Sequence, residues 1–261
     1  MAEAVALTTS PTITIKKVDI ERPWQWLAAG WRDFQQNPAV GLCYGVLATI
    51  TGYLITLGLW QWGSVVYVLP LTAGFLIVGP ILTVGLYEVS RMAQEGKTAT
   101  IFDAVAAFKR NKSQIALMGV ALMLMMFFWS RFAALLFFAY WGGSPPALGN
   151  LFAETFLRLE ALPFLVIGVA SGAILAFISY AISVVAIPML LDRPECNVID
   201  AIIKSVESVQ LNFATMLLWA GIIVAITMAG LVTLYLGLIV TLPLVAHASW
   251  HAYRDLVEIA P

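Results

Sequence analysis

Apolar residues arrive in five long runs, at 38–60, 64–90, 112–138, 161–191 and 213–253, separated by short polar stretches. A run longer than about 18 residues reads as a membrane-spanning helix. Four of the runs fit one helix each. The fifth, drawn as a single helix, would be about 60 Å long, roughly twice the thickness of a bilayer's hydrocarbon core. A turn between Gly230 and Gly237 divides it into two spans of about 20 residues, so the pattern predicts six transmembrane helices.

The polar stretches are alike. "WQWLAAGWRDFQQNPA" (24–39), "TIFDAVAAFKRNKS" (100–113) and "NVIDAIIKSVESVQLNFA" (197–214) each carry apolar residues at helical spacing and end near an asparagine: Asn37, Asn111 and Asn212. Asparagine is a favoured N-cap, so these three are expected to start the first, third and fifth spans. Thr100 with Asp103, and Asn197 with Asp200, have the spacing of a capping pair. Each second span holds a proline: Pro80, Pro188 and Pro243. The predicted fold is an all-α polytopic membrane protein, three hairpins each preceded by a short interfacial amphipathic helix. Its units are 23–93, 98–193 and 197–256, following a flexible cytoplasmic tail at 1–20 within a chain whose transmembrane domain is 21–261. The outer segment 147–164, with Leu148, Leu151, Phe152, Thr155 and Leu159 on one stripe, reads as a further surface helix.

Composition agrees: 61% of residues are hydrophobic and 11% charged, against about 25% charged in a soluble domain. The first 20 residues lack the apolar core of a cleaved signal, so the first span is expected to insert the chain. Lys16, Lys17, Arg22 and Arg32 precede span 1. Arg91, Lys97, Lys109, Arg110 and Lys112 follow span 2, Arg193 and Lys204 follow span 4, and Arg254 follows span 6; only Arg131 and Arg158 fall on the other side. Both termini are therefore predicted to be cytoplasmic. A net charge of −1 gives nucleic acid no electrostatic hold. Cys43 and Cys196 fall too far apart to predict a disulfide.

"WRDFQQNPAVGLCYG", "GPILTVGLYEVSR" and "CNVIDAIIKSVESVQLNFATM" resemble a bacterial family of uncharacterised integral membrane proteins, some members of which carry the label of a cytochrome c oxidase subunit. The resemblance implies six helices and an inner-membrane address. It implies no catalytic residues.

The residues test that label. An oxidase core needs about six histidines, and the chain has two, His247 and His251. Four apart on one helix, they cannot clamp a haem from opposite faces, and a zinc or copper site would need further ligands beyond Asp255. They are expected to serve structure, His247 bonding within the bundle and His251 joining Trp250 and Tyr253 in an aromatic belt. No cofactor or metal is expected, and no Walker loop, serine elbow or HExxH motif proposes an enzyme. Two function classes follow. The first is a non-catalytic accessory or structural subunit of a larger, for example respiratory, membrane complex or a homo-oligomer, contacted through Trp24, Trp31 and Phe34. The second is a small transporter or channel, with a pathway between the spans kinked at Pro80, Pro188 and Pro243.

Overall fold

The computed structural model describes residues 13–64, 67–142, 153 and 157–259. Strand β1 (Ile13–Ile15) leads to helices α1 (Arg22–Gln36), α2 (Pro38–Gln61), α3 (Val68–Leu82), α4 (Val84–Gln94) and α5 (Ile101–Ala106). After a 3-10 turn come α6 (Lys112–Trp141), α7 (Leu162–Ser183), α8 (Ala186–Asp192), α9 (Val198–Leu211), α10 (Phe213–Val232), α11 (Leu238–Leu256) and β2 (Val257–Ile259). Half of the expected surface helix at 147–164, namely 147–152 and 154–156, lies outside the described residues.

Among the described residues four stretches are long and apolar enough to cross a membrane: α2, α6, Leu159–Asp192 and α10; α3 with α4 makes a fifth if the pair, bent by 41°, counts as one span. The protein is an all-α integral membrane protein, with one small addition. Ile13–Ile15 pairs antiparallel with Val257–Ile259, and Lys16 N donates to Leu256 O. The expectation of a free tail is thus corrected from Ile13 onward, because a strand edge there satisfies backbone groups of both chain ends.

The breaks have identifiable causes. Pro80 removes one ladder bond in α3, and the helix bends at Thr83, whose Oγ1 donates to Pro80 O at 3.0 Å. Pro188 lies three residues beyond a break at Val185 and leaves Val184 O without its helical donor. The amide freed there, Val185 N, donates to Ser205 Oγ of α9 at 3.1 Å. Pro243 leaves α11 unbroken. The carbonyl it would have bonded, that of Ile239, faces Gly45, where a Cβ would sit 2.5 Å from the oxygen. Only glycine lets α2 approach this closely.

Asn37, Asn111 and Asn212 do occupy the positions before α2, α6 and α10, but none caps its helix. The helices start where expected, but the cap bond is missing because each side chain reaches across to a neighbouring loop. Asn37 Oδ1 accepts from Ala99 N at 3.3 Å. Asn111 Nδ2 donates to Cys196 O at 2.9 Å and Arg193 O at 3.4 Å. Asn212 Oδ1 accepts from Val18 N at 2.8 Å, and its Nδ2 donates to Lys16 O at 2.9 Å. All three are buried. The capping pairs form as predicted at Thr100–Asp103 and Asn197–Asp200, and hydrogen bonds from Thr100 hold the Asp103 carboxyl below its ordinary pKa.

Candidate functional site

Two layers meet along the same helices. On the side carrying α1, α5 and α9, here the inner side, the segments 84–90, 184–191 and 246–250 are buried almost throughout and pack as the core. Toward the other side the bundle separates into two trios. Helices α2, α10 and α11 pack together, as do α3, α6 and α7, with few approaches between the trios.

The inner layer contains both histidines. His247 is fully buried, and its Nδ1 lies 2.8 Å from Ser90 Oγ of α4. One turn on, His251 Nε2 lies 2.8 Å from Asp33 Oδ2 of α1. One turn further, Asp255 accepts from Arg22 Nε at 2.6 Å, from Arg22 Nη2, and from Trp26 Nε1 at 2.9 Å. Tyr253 Oη and Arg254 Nη1 both donate to Asp192 of α8, at 2.8 and 3.1 Å. The last turns of α11 thereby tie α1, α4 and α8 together. Gly30 of α1 lies so close to Ala248 that a Cβ would meet its backbone nitrogen at 2.5 Å.

This arrangement corrects two expectations. Trp250 and Tyr253 are no interface belt: they are 0% and 1% exposed, because the last turns of α11 are enclosed in the inner layer, with α1 against His251 and Asp255 and α8 against Tyr253. Phe34 is no partner contact either. It is 7% exposed and packs its ring over Gly41. Trp24 and Trp31 remain 58% and 41% exposed, the Trp31 ring lying 5.5 Å from that of Phe34. Ser90 and His247 form a serine–histidine pair, but neither lines either of the two cavities described below, whereas nucleophilic chemistry needs room for a substrate beside the hydroxyl. Among the described residues no three His, Cys, Asp or Glu side chains gather as metal ligands. Cys196 is buried in the loop after α8, which pushes its thiol up to about 11 and away from the reactive thiolate.

Between the two trios lies a chamber of about 790 Å³, within the range of ligand pockets. Its walls come from α3, α6, α7, α10 and α11, and its floor is the top of the inner layer at Thr83, Tyr87, Ser183, Ala246 and Ser249. Along α3 it runs from Pro70 to Thr83, about 20 Å. Polar groups at its edges are engaged with protein carbonyls. Ser183 Oγ donates to Ser179 O at 2.7 Å, Ser249 Oγ to Val245 O at 2.8 Å, Tyr180 Oη to Met216 O at 2.8 Å, and Trp129 Nε1 to Pro70 O at 2.8 Å. Thr83 Oγ1 is likewise engaged with Pro80 O, and apart from the hydroxyls of Tyr67, Thr72, Tyr87 and Thr227 the remaining lining is hydrocarbon and aromatic rings. Pro80 and Leu242, beside Pro243, line it, whereas Pro188 lies below it in the inner layer. The sequence had pointed to the kinked spans but gave no sign that their outer parts stand apart.

Residues 68–192 match the model of a family described as "Predicted integral membrane protein (DUF2189)". The matched stretch runs from α3 through α8 and so includes both broken helices and three walls of the chamber. No curated protein and no solved structure matches the chain.

Proposed function

We propose that this protein holds a molecule with a long hydrocarbon chain, drawn from the surrounding bilayer, in the chamber between its two helix trios. The observation that carries the reading is the lining. An ion or polar solute passing through it would leave its hydration unreplaced, at a cost of several kcal/mol for each unsatisfied polar group. A hydrocarbon chain loses nothing there. Helices α7 and α10 meet at their inner ends, through Phe177 on Phe213 and Tyr180 on Met216. Their sparse contact beyond leaves a lateral way in from lipid.

The architecture behind this reading has six spans, the sixth being α11, with both termini on the cytoplasmic side of a bacterial inner membrane. Pairing of β1 with β2 brings the described ends of the chain to one face, which requires an even number of crossings, and twelve of the fourteen basic residues fall on that side. Three related units build it. In support, Asn37 binds the segment before α5, Asn111 the segment before α9, and Asn212 the segment before α1, so that each unit holds the next and the third holds the first. Seven residues before each asparagine stands a small buried residue, Gly30, Ala104 or Ser205. Each abuts the second span of the preceding unit, at Ala248, Gly85 and Val185.

The test is extraction. Purified in a mild detergent and denatured in organic solvent, the chain should release about one equivalent of a lipid or other long-chain apolar molecule, identified by mass spectrometry. Gly221 faces open space in the chamber wall. Gly221→Phe should leave the protein folded and reduce that yield severalfold. Equal yield from both proteins would sink the reading. The accessory-subunit reading rests instead on Trp24 and Trp31, exposed on α1, though tryptophans at a lipid interface serve equally.

A further inference from the structure

A second cavity lies on the inner surface, away from the chamber. It measures about 310 Å³, between α1 and the end of α11, and is lined by Arg22, Gln25, Arg32, Arg254, His251 and Asp255 among others. Its cations are not equivalent. Arg22 is engaged on both sides, by Asp255 and by Gln25 Oε1 at 2.6 Å. Arg254 uses one nitrogen on Asp192 and is 42% exposed. Arg32 has no hydrogen-bond or ion-pair partner among the described residues. Asp255 is the one acid in the lining, and its carboxylate is already held by Arg22 and Trp26. The cavity therefore offers one free guanidinium and part of a second, with little opposing charge.

Its position narrows what that charge meets. On the same helix, Trp24 and Trp31 are exposed on a face away from the cavity, and tryptophans exposed on an amphipathic helix sit at headgroup depth. Arg32 directly follows Trp31, so its guanidinium lies at the level of lipid phosphates. Guanidinium matches a phosphate's oxygens in a planar, bidentate way. The geometry points to a site for the phosphate of an anionic phospholipid, held by Arg32 with Arg254 beside it, at the headgroup depth that Trp24 and Trp31 mark.

This is tested on the full-length protein in a non-ionic detergent by native mass spectrometry, titrating phosphatidylglycerol against phosphatidylcholine. The wild-type chain should retain phosphatidylglycerol in preference, and Arg32→Gln should weaken that retention about fivefold without changing the melting temperature. Lys109→Gln, an exposed basic residue beyond the cavity, serves as the control for general charge and should change it little. Excess glycerol phosphate should not compete, because it lacks the chains. Equal losses in the two variants, no loss in Arg32→Gln, or full competition by glycerol phosphate would each overturn the assignment.

Discussion

The two halves of the broken span 70–94 are equally helical but differently surrounded. Val84–Ser90 is buried on every side, while Val68–Leu82 leaves one flank open to the chamber. The reason is physical. Within hydrocarbon, apolar side chains gain little by leaving lipid for each other, so helices associate through close backbone approach and hydrogen bonds. The inner layer has both: Gly30 on Ala248, three asparagines bridging loops, and the His251–Asp33 and Arg22–Asp255 pairs. Between the outer trios neither is present among the described residues at more than a few points, and there the bundle stays open.

The largest effect should come from the closest approach. Gly30→Leu must push α1 off α11, since even a Cβ overlaps the Ala248 backbone. Overpacking of this kind costs about 3 kcal/mol, and the polar pairs beneath would part with it. The expected outcome is a large drop in the thermal midpoint of the purified protein, read by intrinsic fluorescence. A midpoint within a degree or two of wild type would mean that the inner layer is not the rigid half.

A smaller loss is expected from the asparagines, and its size should follow their bonds. Asn111→Ala strips donors from two loop carbonyls, those of Arg193 and Cys196, and should cost about 1–3 kcal/mol because a buried polar group is left unpaired. Asn37→Ala removes one long bond to Ala99 N and should cost less. Denaturation of both variants in a matched detergent would check the order. A reversed order would remove the asparagine bonds from the account of what closes the inner layer.

The difference between the layers also explains what could be read from the sequence. Hydropathy runs marked α2, α3 with α4, α6, α7 with α8, α10 and α11, since apolar length is a local property. The three asparagines stood out by position, yet their partners lie 62 to 196 residues away, which no local pattern encodes. His247 and His251 were legible as a one-sided pair, and His247 does bond within the bundle. The cover that α1 provides was not legible, because Trp24, Trp26, Trp31 and Phe34 look alike in sequence. Only docking separates Trp26 and Phe34, which are buried, from Trp24 and Trp31, which are not. The chamber was the least legible feature: it is a gap between helices, and a gap leaves no residue signature.

The smallest predicted effect has the opposite sign, and for that reason it separates the two layers most cleanly. Gly221 sits in mid-helix on α10, and beyond its own stretch of helix no atom lies within 4 Å of where its Cβ would be. An alanine there meets no neighbour and removes backbone freedom from the unfolded chain. Gly221→Ala should therefore stabilise, by about 0.5–1 kcal/mol, while Gly30→Ala, a change of the same single methyl, destabilises. The methyl is too small to fill a chamber of about 790 Å³, so any bound guest should be retained, unlike in Gly221→Phe. Melting curves of the two alanine variants, taken side by side in one detergent, decide the matter. If both shift downward by similar amounts, α10 is packed at Gly221 in the working protein, and the open outer half proposed here is closed.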